Sequence, residues 1–222
     1  MMALPMRYHA RIYRREHLWL PGALWALFAL LVILMRSEAG RAFDVANAFL
    51  GFVLPLIAGI LAASAIVDDS ALELQLASPR APWRTLLERL ALLLGLVAAG
   101  ALLYQGYVAL LGVDLSPMGK LVARQLAWLT PSLALMGLGS VTALAFAQGT
   151  NGALAAGGIW LLQLLAKDWF VDSPWARYLF VFMAARYQAH PSFLANQLCL
   201  LGVSAILIAG ASLLLKQEER YL

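Results

Sequence analysis

Five stretches of the chain contain no Asp, Glu, Lys or Arg: residues 17–35, 45–67, 90–113, 125–166 and 187–215. An apolar run of eighteen or more residues can carry a helix across a hydrocarbon core about 30 Å thick. The fourth stretch is too long for one crossing, since at about 1.5 Å per residue it would span roughly twice that core. It must fold back, and Gln148-Gly149-Thr150-Asn151-Gly152 offers the turn. The pattern therefore predicts six spans, over 18–35, 45–67, 90–112, 126–147, 153–166 and 195–215. Pro21 sits in the first turn of the first span, where a missing N–H costs least. Pro55 falls near the middle of the second and predicts a kink there. Pro131 lies near the start of the fourth.

The polar intervals add three features. In residues 1–17, Arg7, Arg11, Arg14 and Arg15 share one helical stripe beside Leu4, Tyr8 and Ile12. This predicts a helix lying in the membrane interface. Arg36, Glu38, Arg41 and Asp44 read as a short polar loop, and Asp114-Leu115-Ser116-Pro117 opens another. Residues 168–194 interleave aromatic and charged groups around an apolar core, 178–185, that is too short to cross. Trp and Tyr favour the membrane–water interface, so this interval predicts short re-entrant helices in the outer leaflet before the last span. The expected fold class is thus an all-α integral membrane protein, a single transmembrane domain over 1–222.

Composition agrees: 63% of residues are hydrophobic, 13% are charged, and the mean hydropathy is +0.79. The net charge of +4 would suggest nucleic acid in a soluble protein. Here it points to basic loops against anionic lipid, with no nucleic-acid partner. Ser37-Glu38-Ala39 resembles a signal-peptidase site, but the apolar run before it is longer than a signal core, so the first stretch reads as an uncleaved span. Cys199, the single cysteine, falls in the last span and cannot form an intrachain disulfide. Of the 16 Lys and Arg residues, nine fall in the segments that an N-terminus-in topology makes cytoplasmic, and seven in the others. The most basic segment precedes the first span, which sets orientation, so both termini are expected in the cytoplasm and the protein in the plasma (inner) membrane.

Several chemistries are excluded. The spans as drawn hold no charged side chain, so an ion- or proton-coupled carrier has little to work with. Gln105, Gln125, Gln163 and Gln197 are the main polar groups in the apolar stretches, and interhelical hydrogen bonding is their expected role. Ser140 follows glycines but lacks the trailing glycine of a nucleophile turn, with His190 far downstream. His9, His17, His190 and Cys199 have no metal-ligand spacing. No nucleotide-binding loop occurs, so the chain is expected to be no enzyme, with no cofactor of its own.

The remaining constellation is 68–84. Asp68 and Asp69 suit a helix N-terminus, Leu72 and Leu76 share a face with Glu73 beside them, and Ser78-Pro79 and Ala81-Pro82 end the helix. Asp69-Ser70-Ala71-Leu72-Glu73-Leu74-Gln75-Leu76-Ala77-Ser78-Pro79, with Ala58-Gly59-Ile60 before it, resembles the signature of ABC-2 type (type-2 ABC exporter) transporter permeases. His190-Pro191-Ser192-Phe193-Leu194-Ala195-Asn196-Gln197 leading into the last span is similar too. The chain departs from the family in carrying Asp69, Ser70 and Ala71 where Glu followed by Gly-Thr is common.

The resemblance implies two permease subunits, as a homo- or heterodimer, each docking a separate ATP-binding cassette ATPase subunit that carries the ATP. Carried over by position, Asp69, Leu72, Glu73, Leu76 and Arg80 would form the cytoplasmic coupling helix at that contact. Residues 168–194 would cap the outer end of the pathway, making Trp175, Tyr178, Phe182 and Tyr187 outer gate candidates. A haem-exporter-like permease is one subtype of similar length. The reading from a different class is a non-transporting membrane scaffold whose loop is a static anchor; an ATPase that works only with this chain would separate the two.

Overall fold

The computed structural model describes residues 19–67 and 82–216. The interfacial segment 1–17 and the docking residues Asp69, Leu72, Glu73, Leu76 and Arg80 lie outside the described residues. Among those described, the structure is helical and contains no strand: α1 (Trp19–Leu34), α2 (Ala39–Ala48), a π-helical turn (Phe49–Val53), α3 (Leu54–Val67), α4 (Pro82–Leu110), α5 (Leu121–Ala145), α6 (Gly149–Leu165), α7 (Lys167–Asp172), α8 (Met183–Arg186) and α9 (Phe193–Leu214). Among the described residues, four stretches are long and apolar enough to cross a membrane: 39–65 taken as one continuous helix, α4, α5 and α9. Helices α1 and α6, at 16 and 17 residues, are shorter.

Cross-helix contacts fix the directions. The Trp25 indole donates to the Gly100 carbonyl (3.3 Å), and the Tyr104 and Tyr107 hydroxyls donate to the carbonyls of Phe28 (3.3 Å) and Ala29 (3.0 Å). Residue numbers rise together, so α1 and α4 run parallel. Gly59 faces Leu135 and Gly139, and Thr130 and Gly137 meet Gln197 and Ser204, so α3, α5 and α9 also run together. Helix α6 runs against them, with Gly152 beside Ala63, Ala156 beside Gly59 and Trp160 bonded to Phe52. The segment 166–192 therefore returns to the end of the bundle from which it leaves.

Helices α3 and α5 form the centre. Apolar lipid gives no hydrophobic drive to helix pairing, so close approach through small residues has to supply the packing. At Gly152, an added Cβ would stand 2.7 Å from Ala143 Cβ and 2.8 Å from Ala63 Cβ, inside any real contact distance. That glycine lets α6 seat against both central helices.

Three expectations need correction. The turn expected at 148–152 lies at 146–148, with Ala147 at φ 51, and α6 begins at Gly149. Packing recruits Gly152 into the helix, and a non-glycine residue takes the left-handed position instead. The polar loop at 36–44 is shorter than expected: α2 starts at Ala39, and Arg41 pairs back to Glu38 at 2.9 Å on the exposed helix start. The expectation at Pro55 is not among these: a wide π-helical turn, Phe49–Val53, stands just before it, where proline removes a hydrogen bond. Finally, α4 begins at Pro82, eight residues before the predicted span, and so carries a charged side chain, Arg89, wholly buried. The helix continues through the polar flank because Pro82 is a favourable first-turn residue.

Candidate functional site

The two ends of the bundle differ. At one end, here the cap end, segment 166–192 sits with the α1–α2 turn and the 111–120 connection. At the other, the loop end, α3 stops at Val67, α4 starts at Pro82 and α5 turns into α6.

The cap is built from the apolar run expected to be too short to cross. Helix α7, the 3-10 turn Ala176–Leu179 and α8 are each six residues or fewer, so no continuous helix runs through 175–194. Phe180, Val181, Phe182 and Met183 are buried against Phe52, Trp160, Phe170 and Leu200, and Ala184 is buried in the main core. The run is thus turned into protein.

Irregular backbone buried this way needs partners. Amide side chains on three helices supply them. Gln163 of α6 donates to the Leu179 carbonyl (3.1 Å) and accepts from the Val181 N–H (2.8 Å). Asn196 of α9 donates to the carbonyls of Arg177 (2.8 Å) and Phe180 (3.0 Å). Asn47 of α2 donates to the Ala185 carbonyl (2.9 Å). The cap is therefore fastened to helices distant in sequence.

The four gate candidates occupy different positions. Phe182 is fully buried, stacked on Phe52 (4.6 Å between centroids) and edge-on to Trp160 and Phe180. Tyr187 is half-buried beside Phe180 at 6.2 Å. Trp175 is 61% exposed and meets Trp169 edge to face at 5.6 Å. Tyr178 is half-buried. Trp169 and Phe170 complete an aromatic chain from Trp175 to Phe180. Arg186 stands over the Phe52 ring at 5.3 Å, a cation–π contact beside the buried rings. In the 111–120 connection, hydrogen bonds from the Ser116 hydroxyl and then its amide hold the Asp114 carboxyl below its usual range.

At the loop end, Arg89 donates to the Ala65 carbonyl. The last carbonyls of a helix lack intrahelical donors and carry the negative end of its dipole, so a cation is favoured there. The contact ties the end of α3 to the start of α4, which are the two ends of segment 68–81. This residue was not singled out from the sequence, although a signal existed. Leu86, Leu90, Leu93, Val97, Ala101 and Tyr104 form the buried stripe of α4, and Arg89 falls on it at i+3 from Leu86. Asn47 and Asn196 were missed as cap fasteners, because their partners are backbone atoms far away in sequence.

The remaining interior polar groups serve structure. Gln105 and Gln125 exchange two hydrogen bonds (3.2 and 3.0 Å), and Trp128 donates to Gln125 (2.8 Å). Gln197 accepts from Thr130 and donates to Asn196 (2.9 Å). The interhelical role expected for the glutamines is what the structure has, with Gln163 spent on the cap. The Ser140 hydroxyl donates to the Ala62 carbonyl (3.4 Å) near the loop end, whereas His190 accepts from the Ser192 amide (3.1 Å) at the cap end. Ser140 and His190 therefore lie at opposite ends of the bundle and form no pair. Compared with protein-family models, with curated proteins and with solved structures, the chain matches none.

Proposed function

We propose that this chain is the membrane-spanning permease subunit of an ATP-binding cassette transporter of the ABC-2 type, an exporter working as a pair with separate ATPase subunits. The observation that carries the reading is the 69–79 sequence, Asp-Ser-Ala-Leu-Glu-Leu-Gln-Leu-Ala-Ser-Pro, between two long apolar helices. Supporting it, α1, α4 and α6 run opposite to α3, α5 and α9, as six crossings with both termini on one side require. The arginine that joins α3 to α4 brackets the same segment, so a push on 68–81 would reach both helices together. The re-entrant role of 168–194 and the cytoplasmic side of 68–84 belong to this reading.

The test is affinity purification of the full chain from its native membrane, followed by ATP hydrolysis in reconstituted vesicles. The permease reading expects a co-purifying P-loop ATPase whose activity falls to its unstimulated level with the double variant Leu72→Ala, Glu73→Ala at normal permease abundance. Stimulation equal to the native chain's would remove the docking role, and absence of any ATPase would favour a scaffold.

A further inference from the structure

Phe49 and Phe52 stand on one helix but fill two separate cores. Phe49 packs on Phe28 of α1 and Tyr104 of α4, with centroids 5.5 and 4.3 Å away. Phe52 stacks on Phe182 of the cap, and its carbonyl accepts from the Trp160 indole of α6 at 2.9 Å. In a regular α-helix, residues three apart lie about 60° apart and share a face. The π turn between α2 and α3, in which the Leu54 N–H reaches the Phe49 carbonyl, is wider and splays the two rings. Filling both cores requires the wide turn.

The polar fastenings of the cap fall in two groups. Residues 177–181 are bonded by Gln163 of α6 and Asn196 of α9. Residues 182–186 are held instead by the helix that carries the π turn. Asn47 donates to the Ala185 carbonyl (2.9 Å), and Arg186 lies over the Phe52 ring. Gly51 brings the helix backbone so near that an added Cβ would collide with Ala185 Cβ.

Pro55 weighs on the choice between a wide and a tight turn. Lacking an N–H, it withholds a donor from the Gly51 carbonyl in the α register, and its ring crowds that carbonyl. In the π register the donor is withheld from Leu50 instead. The α turn therefore loses much of its usual advantage here. Tightening would rotate α2 against α3 by about one residue's turn, roughly 100°, and carry Asn47 and Phe49 off their partners.

We propose that the π turn is a two-state hinge. Wide, it keeps 182–186 seated over Phe52; tightened into α-helix, it releases that half of the cap while 177–181 stays bound. The hinge needs only the helical fold and is independent of the transporter reading.

The test uses the full chain in detergent, with hydrogen exchange read along the cap and spin-label distances read from α2. Pro55→Ala restores the donor to Gly51 and so favours the tight turn. Exchange at 183–187 is expected to rise about fivefold or more, the worth of one backbone hydrogen bond, with 179–181 unchanged. A static turn predicts the reverse, because replacing a proline inside a helix stabilises it. Labels at Arg41→Cys and Leu194→Cys, both exposed positions, are placed in a Cys199→Ser background. They should give one distance in that background and a second population once Pro55→Ala is added. Phe182→Ala loosens the hinge from the cap side, should give the same second population, and decides the matter if Pro55→Ala does not fold. Unchanged or slower exchange at 183–187 in Pro55→Ala, or a single distance in every variant that folds, overturns the hinge. Equal acceleration over 177–187 overturns it too, since the cap would then move as one piece.

Discussion

Gln163 shows what single side chains do here. It offers one donor and one acceptor to the Leu179 carbonyl and the Val181 amide, two backbone groups buried in an irregular segment. Gln163→Leu keeps the bulk and removes both bonds, so we expect a loss of about 1–3 kcal/mol. Faster amide exchange at Val181, with the helices unchanged, would be the signature, and unaltered protection there would contradict it. Arg89 acts at the opposite end. Arg89→Met removes the guanidinium from the Ala65 carbonyl and should cost about 1–3 kcal/mol, with Arg89→Lys losing less because a cation remains. Thermal melting in detergent reads this directly, and identical melting of Arg89→Met and the native chain would refute it.

Within one element, the same residue type has opposite consequences. Gly152 of α6 faces Ala63 and Ala143 at distances no Cβ can occupy, whereas Gly158, six residues on, is exposed and open. Gly152→Ala must push α6 off the central helices, at a cost of about 1–3 kcal/mol. Gly158→Ala should stabilise by up to about 1 kcal/mol, since alanine is the better helix former. Melting of the two variants side by side checks the sign of each, and a stabilised Gly152→Ala would show that α6 is not seated as described. Sequence reading places a glycine-marked turn here correctly to within a few residues. It cannot tell which glycine turns the chain and which one packs.

For the molecule as a whole, the antiparallel run of α6 against α9 returns segment 166–192 to its own side, and Lys120 belongs to that cap end. In a Cys199→Ser background, Lys120→Cys should react with an impermeant maleimide in intact cells, and Ser70→Cys only after permeabilisation. Ready labelling at both positions from outside would overturn the proposed orientation.

Membrane class, helical character and the approximate positions of the long apolar helices were legible from the chain alone. Hydropathy is a local, additive property, and a bilayer permits few backbone arrangements. The Gln105–Gln125 and Thr130–Gln197 bonds were legible in kind, since a polar group in an apolar helix must find a partner. Only the tertiary structure decided that Arg89 is interior, that Phe180–Ala184 turns into protein, and that Asn47, Gln163 and Asn196 fasten one cap. Each of those outcomes depends on atoms brought together from distant parts of the chain, such as Ala65 with Arg89 and Asn47 with Ala185. Periodicity along a sequence reports which face is apolar, but the neighbour that covers it is chosen by packing.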